Sequence, residues 1–166
     1  MTDPELPLLT DELLRRMAVD QNARGVREDG NVEADIDAMR AADGENCAWF
    51  TGVLDALGTW PGHSLVGKEG ATAAWIICQH ADEHRELQER ALVLLTAAVE
   101  SEEAERGHLA LLTDRCLVNR GEKQRFGTQY RNGEPRPIED PERLDEHRAA
   151  YGLGPHAEYD ARMREL

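Results

Sequence analysis

The sequence predicts a mainly α-helical single domain, bundle-like, with one short β-hairpin in its C-terminal third. Apolar residues recur at spacings of three and four in several segments, the period of a helix with one buried face. Gly67 to His80 is apolar almost all round, as the central helix of a small core would be. Asn132-Gly133 is a strong hairpin-turn signal, and Pro135 and Pro137 keep the second arm short. A chain of 166 residues fits one such domain with a real core.

The elements follow in order. Residues 1–9 are expected to be a flexible N-terminus, and residues 10–166 the domain. Thr10 is placed to cap a first helix through Leu13, Leu14 and Met17 to about Arg24. A polar, Gly-punctuated loop covers Gly25 to Asn31. A charged helix is expected from Val32 to Ala42. Asp43 reads as the N-cap of the next, with Ala48, Trp49, Val53, Leu54 and Leu57 as its buried stripe and Gly58 as its stop. After the Trp60-Pro61-Gly62 turn comes the central helix. Asp82 either starts a new helix or bends the old one, and helical spacing continues to about Val99. Glu100 to Glu105 is a solvated connection, and Ala104 to Asn119 a further helix closed by Gly121. The hairpin lies within Gln124 to Ile138. Asp140-Pro141 supplies a cap and a first-turn proline for another helix, stopped by Gly152, and Pro155 opens the last.

With 33 Asp and Glu against 19 Lys and Arg, the net charge is -14. That charge repels phosphate backbones and anionic lipid, which argues against nucleic acid or a membrane as partner. The longest near-apolar run, Ala71 to Cys78, is too short to span a bilayer. Cys47, Cys78 and Cys116 sit in apolar helical stretches without CxxC spacing, so they read as small core residues in a reducing cytoplasm. The acidic N-terminus has neither the basic nor the apolar region of a signal peptide. Oligomeric state is left open by the sequence.

The chemistry is sought where polar residues interrupt apolar helices, because buried polar groups need partners. Gln79-His80-Ala81-Asp82 closes the most apolar helix, Thr113-Asp114-Arg115 interrupts another, and Gln124 and Gly127-Thr128-Gln129 follow it. His80 has the side chain suited to proton transfer near neutrality. Asp114 or Asp82 could fix its tautomer, and Arg115 could neutralise a substrate anion. On one helix, however, Asp114 points away from the face of Arg115 by roughly a third of a turn. The competing structural explanation is a network that clamps a loop. A third possibility is metal ligation by His80 with His84, which requires the helix to run on through Asp82. His63, His147 and His156 read as surface residues. Trp60 reads as a core anchor that could also line a pocket rim. No G-x-S-x-G and no phosphate-binding Gly loop appears.

These residues resemble a bacterial family, frequent in actinomycetes, known as domain of unknown function 6624. The likeness rests on Asp20-Gln21 with Arg24, Asp43-x-x-Asn46, Trp60-Pro61, Val66-Gly67, Gln79-His80-Ala81-Asp82, Gln88, Asp114-Arg115, Gln124 and Gly127-Thr128-Gln129. It continues through Ile138-Glu139-Asp140-Pro141, Arg148 and Gly152-Leu153, and so covers the chain from about Leu13 onward. The resemblance implies no particular activity. It marks His80, Asp114, Arg115, Gln124 and Gln129 as pattern positions and leaves out His84 and His108. The chain departs from the pattern at Ser101-Glu102-Glu103, where Gly-Glu is usual.

The resulting expectation is a cofactor-independent enzyme doing acid–base chemistry on a small polar or carboxylate-bearing metabolite, with specialised metabolism as its expected setting. His80, Asp114 and Arg115 form its catalytic set. Trp60, Gln79, Gln88, Gln124, Thr128 and Gln129 contact substrate, and no metal is bound. The alternative is a non-catalytic ligand-binding or protein-interaction module.

Overall fold

The computed structural model describes residues 6–166. Residues 1–5 of the expected flexible N-terminus lie outside the described residues. The fold is mainly helical with one antiparallel hairpin. Along the chain the packing divides into two compact units, one up to Ala104 and one from Glu105. No helix among the described residues is long and apolar enough to cross a membrane.

The first unit holds α1 (Leu6–Ala23), α2 (Ile36–Leu57), α3 (His63–Gln79) and α4 (Arg85–Glu100). Helix α1 packs on α2 and α3, and α3 also packs on α2 and α4. Leu13, Phe50, Leu54, Ile77, Cys78, Ala91 and Leu95 fill the space between them. Several boundaries differ from expectation. Helix α1 begins at Leu6, so Thr10 lies inside it and is no cap. The two helices expected on either side of Asp43 are one. Asp35 caps α2 by accepting from the Ala38 N–H at 3.0 Å, and Asp43 sits two turns in. The buried stripe of α2 is Ala42, Asn46, Cys47, Phe50 and Leu54, while Ala48 is exposed. Spacing of three or four admits two adjacent stripes on such a helix, and packing against α1 and α3 chose this one. Helix α3 is broken at Gly67 (φ 71°, ψ 174°), which only glycine adopts readily, and its regular part runs from there as expected. The departure at Ser101-Glu102-Glu103 has a structural role. The Glu103 carboxylate accepts from the Ser64 N–H (2.8 Å) and its carbonyl from the His63 N–H (2.9 Å), satisfying the start of α3. That hydrogen bond from Ser64 holds the Glu103 carboxyl below its usual range.

The second unit holds α5 (Arg106–Asn119), β1 (Tyr130–Arg131), β2 (Glu134–Pro135), a 3-10 turn (Pro141–Arg143), α6 (Leu144–Ala150) and α7 (His156–Arg164). Tyr130 pairs with Pro135 and Arg131 with Glu134. Asn132 and Gly133 both have positive φ (54° and 75°), as the tight primed turn requires. Asp140 caps the 3-10 turn by accepting from the Arg143 N–H. Buried Arg148 donates to the carbonyls of Gly154 (2.7 Å) and Phe126 (2.6 Å), tying α6 to both flanking loops. The three cysteines are buried and none forms a disulfide.

Candidate functional site

Glu12, Arg16 and Asp20 recur every four residues, so they lie along one face of α1, and Arg24 continues that spacing in the turn just past its end. Helix packing turns this stripe toward α2, where Arg16 Nη1 donates to Asn46 Oδ1 (3.1 Å) and Arg24 Nη2 donates to both Asp43 oxygens (3.0 Å each). Arg24 Nη1 also donates to Asp20, four residues back in the last turn of α1. Gly25 follows this arginine in the turn after α1. Its φ of 77° and a position where a Cβ would lie 2.0 Å from the Val32 carbonyl oxygen leave no alternative residue. Burial pushes the proton affinity of the Asp43 carboxyl up, and Arg24 opposes it.

His80 enters this group from the C-cap of α3. Its Nδ1 lies 3.0 and 3.1 Å from the two oxygens of Asp20, which is 1% exposed. A carboxylate can only accept, so Nδ1 carries the hydrogen, and in the neutral ring Nε2 carries the lone pair. Among the described residues no protein group bonds to Nε2, and the His80 side chain is 19% exposed. Gln88, 1% exposed, braces the turn that presents the ring. Its amide donates to the Cys78 carbonyl (3.0 Å) and to Asp82 (3.4 Å). Gln79, the last residue of α3, is buried. The partner of His80 within this unit is therefore Asp20, a role expected of Asp82 or Asp114.

Asp20, Asp43 and His80 can also bring one ligand atom each within 4.8 Å of one another, a set that could hold a metal ion. Arg24 already lies against both carboxylates and supplies a positive charge there. The His80–His84 alternative loses its geometric basis, because α3 stops at Gln79 and His84 starts α4 instead of continuing one helical face. The same unit has a concavity of about 500 Å³, lined among others by Cys47, Thr51, Glu83, His84 and Arg90. His80, Asp20 and Asp43 are outside its lining. They adjoin it along the chain, Cys47 one turn beyond Asp43 and Glu83 three residues beyond His80. Burial, reinforced by the charges of Asp43, Asp20 and Asp82, pushes the Cys47 thiol up to about 12, which removes it as a nucleophile. Trp60 is 3% exposed and packs edge-on to Phe50 at 5.8 Å, a core wall and no rim.

Asp114, Arg115, Gln124, Thr128 and Gln129 join in a second network inside the second unit. Asp114, fully buried, accepts from the backbone N–H of Arg125 (2.7 Å), Phe126 (3.0 Å) and Thr128 (3.0 Å) and from the Thr128 hydroxyl (2.9 Å). Burial raises the proton affinity of this carboxyl, and these four donors oppose that. The Gln124 amide donates to the carbonyls of Gln129 (3.0 Å) and Arg136 (2.8 Å), and its oxygen accepts from the Gln129 N–H (2.8 Å). Gln129 donates to the Thr128 hydroxyl (3.0 Å) and accepts from Arg115 (2.9 Å). For these residues the loop-clamp explanation accounts for the geometry. Gly127 completes the loop with φ 65°, and a Cβ there would lie 2.7 Å from the His156 ring. Gly127→Ala is expected to destabilise the protein by ~2 kcal/mol through the strained φ and the displaced ring, read as a lower urea midpoint.

Sequence reasoning omitted Asp20, Arg24 and Asp43 from the candidate set. The available signal was the four-residue spacing of Asp20 and Arg24 together with their place in the family-like pattern. No curated protein and no solved structure matches the chain. A family model described as a family of unknown function (DUF6624) matches residues 7–165, nearly the whole chain, so the chain belongs to that family.

Proposed function

We propose that the protein is a cofactor-independent enzyme in which the Asp20–His80 pair performs acid–base chemistry on a small polar molecule. The observation that carries this reading is the single-sided bonding of His80. Asp20 engages Nδ1, leaving Nε2 as the exchangeable edge of a partly exposed ring. A buried carboxylate behind the imidazole fixes its tautomer and stabilises the imidazolium that forms when Nε2 takes a proton. Arg24 and Asp43 keep that carboxylate in place, and Gln88 keeps the ring-bearing turn in place. The reduced thiols and acidic surface suit a cytoplasmic setting.

The test has two parts. Nitrogen-15 spectra of the neutral His80 ring should place the hydrogen on Nδ1; a hydrogen on Nε2 would remove the basis of the proposal. His80→Gln should leave the thermal midpoint within about 5 °C of wild type, since 1 kcal/mol moves a domain of this size by ~2–4 °C. A collapse of the fold in that variant would instead make His80 a structural tie.

A further inference from the structure

Helix α7 lies against the loop and hairpin of the second unit, yet none of its nine residues is buried. Polar side chains hold it there. His156, Asp160 and Arg164 recur every four residues and share one face. The Tyr130 hydroxyl donates its hydrogen to Asp160 (2.8 Å), so the His156 Nε2–H, 3.1 Å away, donates to the Tyr130 oxygen. Arg164 pairs with Asp160 (2.7 Å) and reaches Glu134 of β2 (2.9 Å). Beside this face the Tyr159 hydroxyl donates to the Thr128 carbonyl (3.0 Å). The His156 ring stands over Gly127, where a Cβ would lie 2.7 Å from it. The rings of Tyr130 and Tyr159, 5.9 Å apart, and Arg148, 5.1 Å from the Tyr159 ring, add half-buried contacts.

The attachment has a sharp boundary. The chain is fixed as far as Gly154, whose carbonyl accepts from buried Arg148 (2.7 Å). Beyond it, Asp145 of α6 accepts from the His156 N–H (2.8 Å) at the exposed surface. Burial of apolar area, the main source of stability for a packed helix, is missing here. Exposed ion pairs such as that of Arg164 with Glu134 contribute little. The loop underneath has its own anchor. Asp114 holds the Arg125, Phe126 and Thr128 N–H groups and the Thr128 hydroxyl without any atom of α7.

We propose that α7 is a strap. Residues 156–166 lift from the 127–130 segment as a unit, while the rest of the second unit stays folded. Lifting uncovers the Gly127 backbone, the Thr128 carbonyl and the Tyr130 hydroxyl together, on a loop that keeps its shape. The freed segment also loses its helix, because about 12–15 residues are needed for a helix to persist alone in water.

Hydrogen exchange of the intact chain at neutral pH, read residue by residue by nuclear magnetic resonance, tests this under conditions where protection reports the population of open forms. The amides of α7 should share one protection factor, on the order of a hundredfold below that of the slowest amides of α5. Tyr130→Phe keeps the ring, removes the hydroxyl and should speed α7 exchange about tenfold. Leu112→Val trims a fully buried side chain of α5 and should speed the slowest α5 amides by roughly tenfold. It should leave α7 unchanged, because strapped and lifted forms lose the same contact. Exchange of α7 that is as slow as that of α5, or that quickens in step with it in Leu112→Val, would overturn the strap. So would protection that falls off gradually toward Leu166, which is end fraying, or α7 rates that Tyr130→Phe does not change.

Discussion

Asp114→Ala is expected to lower stability by about 4 kcal/mol, lowering the thermal midpoint by about 10 °C or more. The substitution strands the N–H groups of Arg125, Phe126 and Thr128 and the Thr128 hydroxyl, all of which converge on this carboxylate. Each stranded buried donor costs ~1–3 kcal/mol, reduced where the loop relaxes or water enters. Asp114→Asn should fall between, because it keeps one acceptor oxygen but sets an NH2 group against the remaining donors. Melting followed by circular dichroism measures both variants. A midpoint change below about 2 °C for Asp114→Ala would mean that the 124–129 loop does not depend on this anchor, and would return Asp114 to the catalytic candidates.

Arg24→Leu should cost about 3–5 kcal/mol, because it leaves Asp20, 1% exposed, close to Asp43 with no guanidinium between them. Arg24→Lys should recover only part of this. A single ammonium cannot reproduce the fork that reaches Asp20 with one nitrogen and both Asp43 oxygens with another. Urea titrations at neutral pH give the values. A leucine variant as stable as wild type would show that His80 or solvent takes over the compensation, and that the ion pair is no anchor of the site.

Local chemistry made much of the fold legible. The period of three and four residues located the helices, and Asn132-Gly133 located the hairpin, because each signal acts over one or two turns of chain. Asp140-Pro141 likewise opened a helical segment where expected, first as a 3-10 turn. The errors arose where two local signals competed. Asp43 has the chemistry of an N-cap, but Asp35 eight residues earlier has it too, and the longer helix buries Ala42 in addition. Whether Asp82 starts a new helix or bends the old one is open in the sequence, and the structure decides for a separate helix, with Gln88 folding back on the Cys78 carbonyl to secure the turn.

The site was legible only by half. Composition and the polar interruption of an apolar helix were enough to single out His80, because a histidine closing such a helix needs a partner whatever the fold. The partner itself was decided by tertiary packing. Asp20 stands 60 residues from His80. On an isolated helix, Asp20 with Arg24 four residues later looks like an ordinary solvated ion pair. Only the packing of α1 on α2 and α3 withdraws that pair from water and adds Asp43 on one side and the His80 ring on the other. The reverse holds for Asp114 and Gln124. As sequence they are as polar as a catalytic pair, but the backbone N–H and C=O groups of the loop they hold leave no local trace of needing them. Side-chain type and spacing are local quantities that the chain carries by itself, whereas desolvation and the choice of partner exist only once distant segments meet.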